Sequence, residues 1–455
     1  MRGRSHPPRL ERPARARVRE PRIPDGLWAL DGGLYDLSSF AGAHPGGAHL
    51  VEATRGTDIT ALVHSHHLRL GPTAVRHRVR HLWRPGRAPR APHDWRATPL
   101  YDELRREARA YVAARGSKGV DDPAWVALFV AALCGMALAG AAWLWAGSAV
   151  AGAALGVCMW LCCADAAHSG AHAAIASPRA SRLLARTAGA PFCLPAAWLR
   201  QHVLGHHVHT NAPLDPDIRH HPGSLFPWRV STLTPWRPAY ARWRASLCAT
   251  VWMTQLLPSL GYTPAMLLTS RYPAARAPVR WARGERAEAA LGWVVQVGAI
   301  ASVAARHGGV AALLPFAVCG TAFYAFSQTS HINGASDAPA ARGEWATCQL
   351  AACAGDWSVG SRPASFLSIG LNCQALHHLF PTIHHAHHAA LRPRIAAVLA
   401  RHGTALPGEG QGYGGSLAAH LRFLRRINDA PATSLRPAPL PPPMPDDSDD
   451  ELPPG

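Results

Sequence analysis

Histidine is the residue type whose placement in this chain could do chemistry. There are 27 in 455 residues, and they cluster. His168 and His172 stand in HSGAH. His202, His206 and His207 stand in QHVLGHHVHTN. His331 stands in TSHIN, and His377 and His378 in QALHHLFP. Positions i and i+4 share one face of a helix, so the first two segments each carry a candidate ligand pair. One such pair is more often a solvated or core histidine. Several clusters beside hydrophobic segments are a different matter. Imidazole suits iron, zinc and copper, and eight imidazoles can surround two metal ions. None of the clusters has the Cys pairs or the finger spacing of structural zinc.

A second constellation lies near the N-terminus. His44-Pro45-Gly46-Gly47 follows a strand-turn-strand pattern, Trp28 to Leu37, and the run Gly56 to Leu62 leads to His67. HPGG alone is only a turn. His44 and His67 are 23 residues apart, each near the end of an apolar segment. Such a pair can grip a flat ligand from both faces.

These residues need elements to hold them. From Ala124 to Ala164 no Asp, Glu, Lys or Arg occurs in 41 residues. As one helix that run would be about 62 Å long at 1.5 Å per residue. The hydrocarbon core of a bilayer is about 30 Å. The run is therefore two spans folded as a hairpin, turning near Gly147-Ser148. A second hairpin is Ala289–Ala305 with Val310–Phe326, joined by Arg306-His307-Gly308-Gly309. Leu183–Leu199 and Ala245–Ser270 carry prolines and read as interfacial or protein-buried. Leu104, Ala108, Tyr111 and Val112 mark one face of an earlier helix. For the clusters to meet, an even number of spans must separate His207 from His331, and the second hairpin supplies two. The Arg-rich N-terminal flank puts that side in the cytosol.

The HxxxH, QHxxGHHxxTN and QxxHHLFP boxes resemble the membrane-bound acyl desaturases, over roughly residues 25–400. Gln374, which opens the third box where related desaturases have a His, resembles the front-end subgroup. Asp215-Pro216-Asp217 and Leu371-Asn372 do so as well. The resemblance implies a di-iron centre held by His168, His172, His202, His206, His207, His331, His377 and His378, with Gln374 in a catalytic position. Family members often have Asp after the first His of box one, where this chain has Ser169. Asp165, a turn upstream, is the expected replacement. Asp165, Asn211, Asp215, Asp217 and Asn372 would then orient the ligating rings. His384, His385, His387 and His388 read as a solvated helix face.

The N-terminal stretch resembles cytochrome b5, fused as in front-end desaturases. His44 and His67 would be axial ligands of haem b. His64 and His66 are rivals, and His67 is preferred because it lies nine residues after Asp58, as in the fused forms. Bis-imidazole ligation leaves no open position for oxygen, so the module should carry electrons. Its C-terminal edge, Arg76 to Arg90, is basic, unlike the acidic free cytochrome.

The resemblance implies a mixed fold: a small α+β cytochrome b5-like haem domain, then an all-α integral-membrane four-helix desaturase domain with cytosolic histidine boxes. The expected organisation is a disordered basic N-terminus over 1–24, the haem domain over 25–83, and a linker over 84–99. The desaturase domain spans 100–430, and a disordered Pro-rich acidic tail spans 431–455. The implied enzyme uses O2 and electrons from its own haem module to insert a cis double bond. That bond falls between an existing one and the carboxyl end of a polyunsaturated acyl chain, with carbon 5 or 4 slightly favoured. Alternatives on the same scaffold are a delta-8 desaturase of sphingoid bases and an acyl hydroxylase. The implied partners are an acyl chain on phospholipid or CoA, NADH-cytochrome b5 reductase and the lipid bilayer. The expected membrane is the endoplasmic reticulum, ahead of a plastid membrane, with both termini and the metal site cytosolic.

Composition narrows the field. Lys and Arg total 46 against 28 Asp and Glu, a formal net charge of +18. That charge suits anionic lipid or nucleic acid. No aromatic platform or finger motif accompanies it, so nucleic acid is not an expected partner. A membrane-tethered haem carrier would need one span and no histidine boxes. The ten Cys show no CxxC spacing and read as reduced, mostly buried thiols.

Overall fold

The computed structural model describes residues 23–88, 93, 95, 98–212, 214–218, 228–234, 236–253, 258–273, 279–281, 284–337 and 343–429. The tail expected over 431–455 and nearly all of the basic segment over 1–24 lie outside the described residues.

The N-terminal module begins with a hairpin of β1 (Trp28–Leu30) and β2 (Gly33–Tyr35). Asp31 and Gly32 join them with φ of 49° and 82°. An Asp-Gly pair with both residues left-handed is the turn that matches strand twist. β3 (Trp83–Arg87) adds to β2 antiparallel, giving the order β1-β2-β3. The linker expected from Arg84 thus begins with a strand of this sheet. Arg84-Pro85-Gly86-Arg87 has no apolar alternation, so backbone pairing to Gly33–Tyr35 alone makes it a strand. Helices α1 (Ala48–Ala53), α2 (Thr60–His66) and α3 (Pro72–Val79) close the module. Trp28 is fully buried at their centre, and its Nε1 donates to the Val51 carbonyl at 2.9 Å.

Helix α4 (Pro99–Arg115) buries Leu104, Ala108, Tyr111 and Val112, the stripe its spacing predicts. Four helices among the described residues are long and apolar enough to cross a membrane: α5 (Pro123–Ala146), α6 (Ala149–Ala171), α8 (Glu285–His307) and α9 (Gly309–His331). They form the two expected hairpins. Gly147, at φ 57°, ends α5, and the Ser148 hydroxyl accepts the Ala151 N–H to start α6. Only 11% of the apolar stretch is buried in α5 and in α8, against 56% in α6 and 39% in α9. The outer pair therefore offers Leu138, Trp145, Val294 and Val295 to lipid. The inner pair, α6 and α9, carries His168, His172 and His331. Among the described residues, the apolar stretches that contain Pro form short helical pieces, such as Pro178–Thr187 and Thr263–Thr269.

The remaining site-bearing elements are α7 (residues 195–209), α10 (Trp345–Ala352) and α11 (Gln374–Leu379). Helices α12 (His388–Arg401) and α13 (Tyr413–Asp429) follow. Among the described residues three stretches are wound as π-helix: Met159–Ala164 inside α6, Leu199–His206 inside α7, and Pro258–Tyr262. Such wide turns concentrate at functional sites.

The solvated face expected for His384, His385, His387 and His388 is not found. These residues are 2%, 6%, 2% and 2% exposed. The turn before α12 is covered by α4, by the 118–121 segment and by the start of α5. His387 Nε2 donates to the Gly119 carbonyl at 2.6 Å, and its Nδ1 accepts the Tyr111 hydroxyl at 3.0 Å. The ring edge of Trp125 stands 4.8 Å from His385, centre to centre. His384, His385 and His387 make interior polar contacts, and the ring of His388 is buried beside them.

Where α6 crosses α9, Gly156 lies against Val318. A Cβ added there would come within 2.7 Å of Val318 Cβ and also strike the Pro315 carbonyl. At Gly140 in α5 the nearest atom to an added Cβ is Leu155 Cδ1, at 3.8 Å. Gly156→Val should destabilise the solubilised protein by about 1–3 kcal/mol, the usual cost of overpacking. Gly140→Ala should be neutral. Melting temperatures in detergent check this; equal melting of Gly156→Val and wild type would mean the crossing is loose.

Candidate metal centre and haem site

The eight boxed histidines meet at the ends of four elements. α6 contributes His168 and His172 from its last turn, and α9 ends on His331. α7 contributes His202, His206 and His207, and α11 contributes His377 and His378. In α6 the expected i, i+4 pair is present, with ring centres 5.4 Å apart. In α7 the π turn changes the pairing. His202 and His207, five residues apart, bring their Nε2 atoms to 3.2 Å, while His206 turns to other partners. The i, i+4 pair expected there is thus replaced by an i, i+5 pair.

The rings form two groups. The ligand atoms of His168, His172, His202 and His377 all lie within 4.8 Å of one another, as do those of His206, His331 and His378. His207 stands between, its Nε2 3.0 Å from His377 Nε2 and its ring stacked 4.2 Å from that of His378. His168 Nε2 is also 3.0 Å from His377 Nε2. Two nitrogens at right angles around one metal, with bonds of about 2.1 Å, stand roughly 3 Å apart. The donor set and its spacing therefore fit two metal ions.

The outward nitrogens fix several tautomers. His206 Nδ1 donates to Asp215 at 3.0 Å. His331 Nδ1 donates to the Ala352 carbonyl at 3.1 Å, and His378 Nδ1 to Gln349 Oε1 at 2.9 Å. The Nε2 atoms of His331, His378 and His172 are then buried with no hydrogen-bond partner among the described residues. A ligating imidazole presents itself in this way. His168 and His207 have no such partner for Nδ1.

Burial holds His202, His207, His377 and His378 well below the ordinary imidazole range, so they are neutral, the form that binds metal. His206 is the exception. Burial lowers its pKa, but Asp215 and Asp217 outweigh that and raise it to about 9. Carboxylates that favour a protonated ring also favour a cation in the proton's place.

The remaining expected residues divide. Asp215 and Asp217 reach His206, at 3.0 Å and 3.5 Å. Asn211, Asn372 and Asp165 reach none of the eight rings. Asn211 donates to the carbonyls of His331, Ser336 and Ala352, and so ties loops together. Asn372 bonds Ser368 and the Ser358 carbonyl. Asp165 takes the Ser169 hydroxyl at 2.7 Å and His385 Nε2 at 3.1 Å, because the buried HHAHH turn, rather than box one, lies over it. His384 is near too, but its Nδ1 accepts the Ala386 N–H. Asp165, Ser169 and His385 thus form a buried hydrogen-bonded network.

Gln374 is 2% exposed. Asp356 accepts its backbone N–H and that of Ala375, which caps α11. Its side-chain oxygen is buried without a partner among the described residues. It lines one cleft with His206 and His331, and the rest of that wall includes Trp160, Phe192 and Phe323. The cleft is narrow, about 30 Å³, and is lined by both aromatic rings and histidines.

In the N-terminal module the rings of His44 and His67 are 6.0 Å apart. Two imidazoles on opposite sides of one metal stand roughly 6 Å apart, centre to centre, for bonds of about 2 Å. His67 Nδ1 donates to the Val63 carbonyl at 3.2 Å, which leaves Nε2 for a ligand. The pair thus fits haem. The rivals are engaged elsewhere: His64 with Asp31 at 2.8 Å, and His66 with His172 at 3.3 Å. The acceptors Gln349 and Ala352 and the cap Asp356 were missed in the sequence, where no motif marks them.

Comparison with known proteins agrees with this geometry. Residues 143–408 match the fatty acid desaturase model, more than half of the chain, and residues 16–82 match the cytochrome b5-like haem/steroid binding domain. An acyl-lipid omega-13 desaturase of Chlamydomonas reinhardtii is 26% identical over 85% of this chain and 90% of its own length. An acyl-lipid (7-3)-desaturase of Diacronema lutheri is 26% identical over 80% of this chain and 81% of its own. A cytochrome b5-related protein of Drosophila melanogaster is 46% identical over 48 residues, 10% of this chain and 11% of its own. A cytochrome b5 domain binds haem, and the clustered histidines fit the di-iron centre of a desaturase. The chain belongs to the fatty acid desaturase family and carries a cytochrome b5 domain fused ahead of its desaturase domain.

Proposed function

We propose that this oxidoreductase is a front-end desaturase of polyunsaturated acyl chains carried on lipid. It sets a cis double bond between an existing one and the carboxyl end, at carbon 5 or 4. The haem unit is residues 25–83, extended by the strand to Arg87, and the catalytic unit is 100–430. His44 and His67 hold the haem. His168, His172, His202, His206, His207, His331, His377 and His378 hold the iron pair. When bound, that pair supplies the oxygen activation that no side-chain acid or base can replace at an unactivated methylene. In this reading the acyl chain lies against Trp160, Phe192 and Phe323, the apolar wall beside the histidines. Electrons come from an NADH-linked reductase. The membrane is that of the endoplasmic reticulum, with the histidines on its cytosolic face, a reading supported by the arginine-rich flank.

The observation that carries the front-end reading is Gln374, whose buried amide oxygen has no partner among the described residues and lines the histidine-ended cleft. The lipid carrier is supported by the names of the two relatives similar over most of the chain. The test is expression in yeast fed a panel of polyunsaturated acids, with double bonds located by mass spectrometry in each lipid class. New bonds on the carboxyl side, at carbon 5 or 4, in acyl lipids are expected. Hydroxylated products, or changes confined to sphingoid bases, would overturn the reading.

The two cofactor assignments separate by mutation. His377→Ala should abolish product and lower bound iron while the reduced-minus-oxidised haem spectrum stays intact. His44→Ala should remove that spectrum and leave the iron. Unchanged iron in His377→Ala removes that residue from the ligand set.

Gln374→His puts a stronger ligand where a neutral amide stands. Iron content should hold or rise, while product is lost or sharply reduced because the space beside the reacting carbon changes. Iron and product are measured on the same purified protein. Wild-type yield with the same double-bond position would make Gln374 a bystander.

A further inference from the structure

Consecutive residues at the end of α2 turn to opposite sides. The ring of His67 faces His44, whereas the ring of His66 leaves the module and stacks on His172 of α6. Their ring centres are 5.5 Å apart at an interplanar angle of 27°, and His66 Nε2 lies 3.3 Å from His172 Nδ1.

Hydrogen bonds on either side fix who donates. The Ser65 hydroxyl donates to the Ala61 carbonyl at 2.8 Å, so its only hydrogen is committed. Ser65 Oγ is therefore the acceptor from His66 Nδ1–H, at 2.9 Å. That leaves His66 Nε2 bare, and it accepts the His172 Nδ1–H. His172 Nε2 then carries a lone pair, is buried without a partner, and points among His168, His202 and His377. The chain of donors ends with His172 in its ligating tautomer.

The contact is held from several sides. Ala61 and Leu68 share one hydrophobic core with Leu100, Tyr101 and Leu104 of α4. Arg109 Nε donates to the Leu68 carbonyl, and Lys118 Nζ donates to the Ala173 carbonyl beside His172. The ring of His64 packs 4.3 Å from that of Trp95.

We propose that His66 is the bridge for electrons between the two cofactors, linking the haem ligand His67 by one peptide unit to the iron ligand His172 by one hydrogen bond. This rests on the ligand assignments above. In each transfer ferrous haem is oxidised to ferric and one ferric iron of the pair is reduced to ferrous. A nicotinamide-linked flavoprotein re-reduces the haem before the second transfer. Tunnelling falls off more steeply across gaps than along bonds, and this route contains no gap wider than the hydrogen bond. His66 itself is a positioning and relay residue that touches neither the acyl chain nor oxygen.

The test uses the full-length holoprotein with substrate bound. Haem is reduced with dithionite, oxygen is mixed in, and haem reoxidation is followed by absorbance. His377→Ala sets the background rate of direct reaction with oxygen. His66→Phe keeps a flat ring without the acceptor, and His66→Gln keeps an acceptor without the ring. Iron content and haem midpoint potential should match wild type in at least one of these variants, and in that variant reoxidation should fall to the background. Wild-type reoxidation with iron retained would overturn the proposal. Loss of iron in both variants would also overturn it, since His66 would then serve only metal binding. Wild-type protein that holds haem but no iron would instead defeat the ligand reading, a failure visible in metal analysis before any kinetics.

Discussion

A neutral imidazole has one N–H and one lone pair, and burying either without a partner costs about 1–3 kcal/mol. Four of the eight clustered imidazoles meet that need on their outward side: the outward N–H is given away so that the inward nitrogen is free. Asp215, the Ala352 carbonyl, Gln349 and His66 each take an outward N–H. Those acceptors come from three different parts of the chain, Gln349 and Ala352 both in α10, so the segments around the bundle are fixed by the needs of the rings. Asn211, bonded to three carbonyls, and Asp356, capping α11, hold these loops without touching a ring.

The membrane hairpins were legible because charge is absent over long runs and a Gly marks a turn. The boxes were legible because polar rings grouped beside apolar helices have little to do there except bind metal. Less legible were features decided by contacts distant in sequence. Arg84–Arg87 became a strand through backbone pairing alone. The HHAHH turn looked solvated because each of its histidines is polar, and only the packing of Tyr111, Gly119 and Trp125 buries it. Asp165 sits one turn before His168, yet it faces His385. Gln349 belongs to no box, and its role depends on where α10 lies against α11.

The fusion of the two modules also has a physical reading. With Ala61 and Leu68 inside the same core as α4, the haem module is seated on the catalytic unit, beyond merely being tethered to it. A tether sets an effective concentration, whereas a seat sets an orientation.

The π turn in α7 holds one more residue than an α turn would. If the same residues closed that turn as ordinary α-helix, each position beyond it would swing by about 100° about the helix axis. His206 and His207 would face away from their groups while the spans, the core and the haem module kept their places. The wide turn thus decides where the rings of this segment point as much as their spacing in the sequence does.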